Sequence, residues 1–193
     1  AAPVTPAVDE AYRKGIPVIV VDRNILSKNY SAFIGANNYK IGLDAGAFAN
    51  TLLKGKGNVI EVGGLQTGSS ADIGRHNGFT DFIKKYPGIK YTARFIGDWE
   101  EKYWDEKFEA LLKANPDLDL IFSQNDRVAF AAYKVCKKLG LDKKINIIGI
   151  DGLSGENGGI DLVETGKLKA TILYPTGGKE AIQTAVNILE KKP

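Results

Sequence analysis

The stretch Leu118-Asp119-Leu120-Ile121-Phe122-Ser123-Gln124-Asn125-Asp126 decides the fold of this chain. Leu118 to Phe122 predicts a strand. Gln124-Asn125-Asp126 then places polar side chains at the head of a predicted helix from Arg127 to Leu139, with Gly140 as its stop. Asn146 to Ile150 predicts the next strand. A strand, a polar turn, a helix and a second strand form the repeating unit of a parallel sheet with helices on its faces.

The same alternation extends outward in both directions. Upstream, Thr5-Pro6 predicts a helix start, with Thr5 as N-cap and Pro6 at the first helical position, running to Lys14 and capped by Gly15. Pro17 to Val21 is a continuous apolar run, the pattern of a strand buried on both faces. Ser31 to Gly35 is a second short extended segment. Asn37-Asn38 offers caps to a helix from Tyr39 to Leu53, whose Gly42, Ala45, Gly46 and Ala49 make a small-residue face for close packing. Strand Asn58 to Val62 leads through a glycine-rich loop to a helix from Ser69 or Ser70 to Tyr86. Strand Thr92 to Ile96 leads to a helix from Glu100 to Ala114. Downstream, a short helix near Ile160 to Glu164, a strand from Ala170 to Leu173 and a helix from Lys179 to Glu190 complete the chain. The expected class is α/β, doubly wound on parallel sheets.

Composition narrows the function. With 193 residues, 26 basic and 23 acidic, the formal net charge is +3. That balance does not argue for nucleic acid. The basic residues are scattered, largely as pairs such as Lys84-Lys85, Lys137-Lys138 and Lys143-Lys144, and each pair reads as a solvated helix end or loop. Cys136 is the only cysteine, so no internal disulfide forms, and its helix position reads as a small buried apolar group. No apolar run is long enough to span a membrane. The chain opens mid-element at Ala1-Ala2-Pro3, and its natural start, with any targeting signal, is expected upstream.

Polar residues cluster where the strands end. Asp22-Arg23 follows Ile19 to Val21. Gln66 to Ser70, and then Arg75, follow Val59 to Val62. Asp98-Trp99 follows Phe95-Ile96, Gln124 to Asp126 follows Leu120 to Phe122, and Asp151 follows Ile147 to Ile150. In open parallel sheets, ligands bind outside the carboxyl ends of the strands. The set suits a polyol: Asp and Asn meet paired hydroxyls, Arg supplies a rigid fork of donors, and Trp offers a flat apolar face. Each residue alone also has a structural reading. Asp22-Arg23 is also a plausible ion pair, Arg75 a surface residue, Asn125-Asp126 an N-cap, Asp151-Gly152 a turn and Trp99 core. The joint placement favours a site.

Other chemistries fit less well. The loop Gly63 to Ser70 lacks the Gly-Lys-Ser/Thr ending of a nucleotide-triphosphate loop and does not spell G-x-G-x-x-G, although such a helix start is able to receive an anion. His76 is the only histidine, so no histidine-based metal cluster forms, and no serine sits in a G-x-S-x-G elbow. Paired carboxylates remain open, but no acid stands out as isolated in an apolar pocket.

Six stretches carry a family resemblance. They are Ile16-Pro17-Val18-Ile19-Val20-Val21-Asp22-Arg23, Ile34-Gly35-Ala36-Asn37-Asn38, Arg75-His76-Asn77-Gly78-Phe79, Ile121-Phe122-Ser123-Gln124-Asn125-Asp126, Ile148-Gly149-Ile150-Asp151-Gly152 and Gly166-Lys167-Leu168-Lys169-Ala170-Thr171-Ile172. In order and spacing the chain resembles the ribose- and galactose-type periplasmic sugar-binding proteins and the related effector domains of the lac repressor family. The resemblance implies a two-lobed fold with three crossings and a sugar held between the lobes. It implies that residues 1–35 are what remains of an incomplete N-lobe, 36–173 a complete C-lobe and 174–193 a return to the N-lobe. It assigns Asp22 and Arg23 to the N-lobe side of the sugar, Arg75, Asn125 and Asp151 to the C-lobe side, and Trp99 to stacking on the sugar. Tyr174 falls where the ribose binder has a glutamine, which favours a sugar other than ribose.

What the resemblance implies for function is capture by hinge closure, without catalysis, cofactor or metal, in the periplasm. The expected partners are a small sugar and either a membrane transporter or a sensor kinase, with a homodimer as one expected assembly and no nucleic-acid contact from this segment. The alternatives are the effector core of a repressor and an α/β enzyme acting on a sugar or nucleotide.

Overall fold

Apolar strands need cover on both faces, and Leu120–Ser123 has it, with all four residues buried. The computed structural model describes residues 2–65, 69–104 and 107–191. The chain divides into two compact units. One is Ala1–Asn37, Ser69–Ala71 and Pro175–Pro193, and the other is Asn38–Gly68 and Asp72–Tyr174.

The first unit contains a 3-10 turn at Ala2–Val4, helix α1 (Thr5–Arg13), strands β1 (Ile19–Val21) and β2 (Ala32–Ile34), and the carboxyl-terminal helix, Gly178–Leu189. β1 and β2 pair in parallel, with Val20 opposite Phe33. Two sequence expectations are corrected here. Thr5 is not the cap of α1: it is the first helical residue, Val4 stands at the cap, and Thr5 Oγ1 instead accepts the Leu26 backbone N–H at 3.2 Å. A tertiary partner has taken the hydroxyl that would otherwise cap the helix. β1 is also not buried on both faces: among the described residues it pairs only with β2, and Val21 is exposed.

The second unit holds the large sheet. Its elements are α2 (Asn38–Leu53), β3 (Gly57–Leu65), α3 (Ser70–Ile83), β4 (Ile89–Gly97), α4 (Glu101–Trp104), α5 (Lys107–Ala114), β5 (Leu120–Ser123), α6 (Asp126–Lys138), β6 (Asn146–Asp151), α7 (Gly159–Glu164) and β7 (Ala170–Leu173). The carboxyl-terminal helix of the first unit is therefore α8. Five parallel strands run in the order β4-β3-β5-β6-β7. The expected α/β class with parallel sheets is borne out. The helix expected from Glu100 to Ala114 is seen over Glu101–Trp104 and Lys107–Ala114, and residues 105 and 106 lie outside the described residues. Trp104, at the end of α4, donates its indole N–H to the Asp98 carbonyl at 2.8 Å and is buried, while Phe108 of α5 is buried 5.3 Å away, ring to ring. Both rings belong to the apolar core of this unit.

The core follows from the strand composition. Leu120, Ile121 and Phe122 are fully buried, as are Ile148 and Ile150. Phe79 of α3 stacks on Phe122 with ring centroids 4.2 Å apart. Burying side chains of this size contributes roughly 1.5–3 kcal/mol each.

α2 and α3 approach through glycines. An added Cβ at Gly42 would lie 2.1 Å from the Arg75 carbonyl oxygen, and one at Gly78 would lie 2.0 Å from the Tyr39 carbonyl oxygen. Both obstacles are backbone, which cannot swing aside. Gly42→Ala and Gly78→Ala are each expected to cost about 1–3 kcal/mol in urea unfolding. Gly178→Ala, whose methyl meets nothing within 4 Å, is expected to leave stability unchanged or slightly raised. Equal losses at all three positions would contradict this packing.

Candidate functional site

Parallel pairing brings the carboxyl ends of β3 to β7 to one edge of the second unit. The chain leaves β3 on one side to form β4 and returns on the other side to form β5. The loops after β3 and β5 therefore diverge, and such a switch point is where open α/β sheets hold ligands. Arg75 lies on the helix after β3, and Asn125 lies just after β5. Trp99 follows β4, Asp151 ends β6 and Tyr174 follows β7. The five candidates of this unit thus share one edge.

Arg75 is their centre. It is only 5% exposed, against the surface position that a helical arginine suggests. Its Nε donates to Asn38 Oδ1 at 2.9 Å and its Nη1 donates to the Gln124 carbonyl at 2.6 Å. Its Nη2 stands 3.9 Å from Asp151 Oδ1, an ion-pair distance longer than a hydrogen bond. The Tyr174 ring lies under the guanidinium, with its centroid 4.9 Å away. A planar donor held on several sides offers a fixed direction to any oxygen placed beside it.

Asp151 is held in an unusual backbone shape. Its φ of 123° is one that side-chain-bearing residues seldom adopt, and such conformations cost roughly 1–3 kcal/mol. The turn around it is clamped. Tyr174 N–H donates to the Asp151 carbonyl at 3.0 Å, and Gly152 N–H donates to Thr171 Oγ1 at 3.0 Å. Asp126 accepts the Leu153 N–H at 3.0 Å and the Thr171 hydroxyl at 2.6 Å. Burial pushes the Asp126 carboxyl above its usual range, outweighing those hydrogen bonds.

Asn125 does what a cap does and more. Its Oδ1 accepts the Val128 N–H at 2.8 Å, and its Nδ2 donates to the Trp99 carbonyl at 2.8 Å. It thereby ties the loop carrying Trp99 to the head of α6. An amide has two acceptor lone pairs and two donors, so capacity for a further polar contact remains.

Sequence reasoning did not find the group beneath this edge. Glu61 stands in the middle of β3 with no exposure. Its Oε2 accepts the Tyr91 hydroxyl at 2.7 Å and lies 2.8 Å from His76 Nδ1. Its Oε1 accepts Gln124 Nε2 at 2.6 Å and lies 3.2 Å from Arg94 Nε. Arg94 also donates to Asp72 Oδ1 at 2.6 Å. Burial alone would raise the Glu61 carboxyl. The hydrogen bonds from His76, Tyr91 and Gln124 and the charge of Arg94 outweigh it, and hold the carboxyl below its ordinary range. Asp72 goes the other way, because burial outweighs its bond to Arg94. Gln124 joins this network to the edge: its side chain holds Glu61 and its carbonyl holds Arg75. Gly63 and Gly64 let both partners approach, since a Cβ on Gly64 would lie 2.3 Å from Asp72 Oδ1. The available signal was a lone glutamate inside the apolar run Val59-Ile60-Glu61-Val62.

The remaining candidates lie elsewhere. Asp22 and Arg23 belong to the first unit, where Arg23 Nε stands 3.5 Å from Asp22 Oδ2 and both side chains are substantially exposed. Asp22, like Asp151, has a positive φ, here 68°, at the end of a strand. Gln66, Thr67 and Gly68 of the glycine-rich loop lie outside the described residues. Cys136 is buried, and burial pushes its thiol up to about 12. Among the described residues, no group of His, Cys, Asp and Glu is suited to a metal ion.

Comparison with known proteins adds the family. Residues 1–193 match the model of the periplasmic binding protein domain. The ribose import binding protein of Haemophilus influenzae is 34% identical over 186 residues, covering 95% of this chain and 61% of that protein. The D-apiose import binding protein of Actinobacillus succinogenes is 30% identical over 171 residues, covering 88% of this chain and 54% of that protein. The chain thus spans a little over half the length of the curated relatives it matches. Among solved structures, the fructose-binding periplasmic domain of a hybrid two-component system has a TM-score of 0.95 and 46% identity, over 100% of this chain and 64% of that one.

The buried network makes a pH prediction. A carboxyl with a lowered folded pKa stabilises the fold above its unfolded pKa, and that stability is lost as pH falls through the folded value. Glu61→Gln is therefore expected to cost on the order of 3 kcal/mol at neutral pH, by leaving Arg94 under-compensated, and to flatten the loss of stability on acidification. Urea unfolding from neutral pH down to acid checks both. An unchanged acid limb would show that Glu61 is not held as described.

Proposed function

Since the chain belongs to the periplasmic binding protein family, we propose that it captures a monosaccharide and that closure of its two units around the sugar is the signal. The observation carrying this reading is the Arg75–Asp151 pair at the switch point of the sheet, fixed 3.9 Å apart beside the Tyr174 ring. A sugar hydroxyl both accepts and donates, so one hydroxyl answers a guanidinium and a carboxylate at once. Trp99 and Tyr174 supply flat faces for the carbon side of the ring. Asn125 braces the Trp99 loop and adds amide contacts. Asp22 and Arg23 of the first unit enter the proposal as the second acid–guanidinium pair. Contacts from both units favour the closed state over the open one, which is all a ligand needs to shift the equilibrium. No bond is made or broken.

Fructose is the first candidate sugar, since the fructose-binding domain of a hybrid two-component system is 46% identical along this whole chain. On the same ground, the proposed role is that of an extracytoplasmic sensor domain working with a kinase. The import binding proteins of H. influenzae and A. succinogenes support a second reading, delivery of the sugar to a membrane transporter. Either partner reads the closed shape.

Titration calorimetry with D-fructose, D-ribose, D-allose and D-xylose tests the proposal. A bound sugar at a hundred times its Kd should also add about 2.7 kcal/mol to the unfolding free energy. Asp151→Ala and Arg75→Lys are each expected to weaken binding by roughly 10–150-fold, the worth of one charge-assisted hydrogen bond, with the circular-dichroism spectrum unchanged. Parent-like affinity in Asp151→Ala would overturn the site.

A further inference from the structure

The lysines that look scattered in the sequence are gathered by the fold. In the second unit every helix-to-strand turn lies at the edge of the sheet opposite the candidate site, because β3 to β7 are all parallel. Five segments form that edge: 54–57, 84–90, 113–119, 137–145 and 164–169. They carry twelve lysines, no arginine and four acids, an excess of +8 in a chain whose net charge is +3. The rest of the chain is accordingly at −5. Three further acids reach in from the helices. Asp81 lies 3.2 Å from Lys84, Glu109 holds Lys113 at 2.8 Å and Lys138 at 2.9 Å, and Asp161 is 3.9 Å from Lys167. Counting them, the edge keeps an excess of +5.

Helix dipoles account for part of this. A cation in the last turn of a helix is stabilising, which explains Lys113, Lys137 and Lys138. The dipole falls off within a turn, and it does not explain Lys56, Lys90, Lys143, Lys144 and Lys169, which stand at or just before the strands. All five of these are exposed, Lys143 to 92%. Lys144 links two of the turns by donating to the Pro116 carbonyl at 2.7 Å.

We propose that this edge is an electrostatic docking surface for an anionic lipid bilayer. The chemistry of the edge selects the partner. Protein interfaces have aromatic, methionine and arginine anchors at their centres and are poor in lysine. Here no large apolar side chain is exposed in the five segments. Nucleic acid would favour arginine forks and aromatic stacking, and neither is present. Lysines on several turns act as diffuse point charges, which suits a plane of headgroups rather than a shaped pocket. The surface faces away from the strand ends that hold Arg75 and Asp151, so docking leaves the candidate site open. The inference does not depend on which sugar is bound, or on whether one is.

Vesicle flotation tests it with the whole protein. The probe is phosphatidylcholine vesicles containing about one third phosphatidylglycerol, against pure phosphatidylcholine, at roughly 0.1 M salt. Binding to the anionic vesicles only, released by high salt, is the expected result. Replacing Lys54, Lys56, Lys90, Lys143, Lys144 and Lys169 with Gln should lower the partition coefficient at least ~100-fold. Replacing Lys14, Lys28, Lys40, Lys102, Lys179 and Lys191 instead removes the same charge from elsewhere and should lower it less than ~5-fold. Equal losses in the two variants would mean that net charge, not this edge, is responsible, and would overturn the proposal. So would absence of vesicle binding, or retention by an acidic polypeptide or nucleic acid at equal strength.

Discussion

A guanidinium with almost no exposure persists only where the fold answers its donors, and the candidate edge of the second unit is organised around meeting that demand at Arg75. Asn38 and the Gln124 carbonyl take two of its directions. Asp151 and the Tyr174 ring flank what is left. Each of these residues comes from a different element, so the position of Arg75 registers the packing of α2, α3, β5, β6 and β7 at once. Close approach of α2 to α3 through Gly42 is part of the same arrangement, since that glycine touches the Arg75 backbone.

The layer beneath is equally polar. Glu61 gathers Tyr91, His76, Gln124 and Arg94 in the middle of an otherwise apolar sheet. A buried carboxylate is costly unless it is fully answered, and a fully answered one holds its partners rigidly. Through Gln124 that rigidity is passed to the carbonyl that orients Arg75. Asp126 has the parallel task on the other side, clamping the turn that keeps Asp151 in its left-handed backbone shape. The proposed sugar would need directed groups with little freedom, and these two buried acids limit the freedom of Arg75 and Asp151.

Much of the fold was legible because apolar runs and turn residues alternate cleanly. Every described strand and helix of the second unit was expected, within a few residues. Thr5 misled because a tertiary contact has no local signal, its hydroxyl going to Leu26. Arg75, Trp99, Asn125 and Asp151 were legible from their places after strands, and Tyr174 only from the family resemblance. Their connections were not, because a sequence does not say which donor meets which acceptor. Glu61, Asp72 and Arg94 stayed hidden for a related reason: each looks like an ordinary polar residue until the sheet order sets β3 between β4 and β5. The lysines likewise became a surface only when parallel pairing put their turns on one edge.

The most direct test is a crystal structure of the protein with its sugar bound. The account predicts sugar hydroxyls within hydrogen-bond distance of both Arg75 and Asp151, an indole or phenol ring against the carbon face, and Arg75 still seated on Gln124. Sugar bound away from these strand ends, with no atom near Arg75 or Asp151, would contradict it.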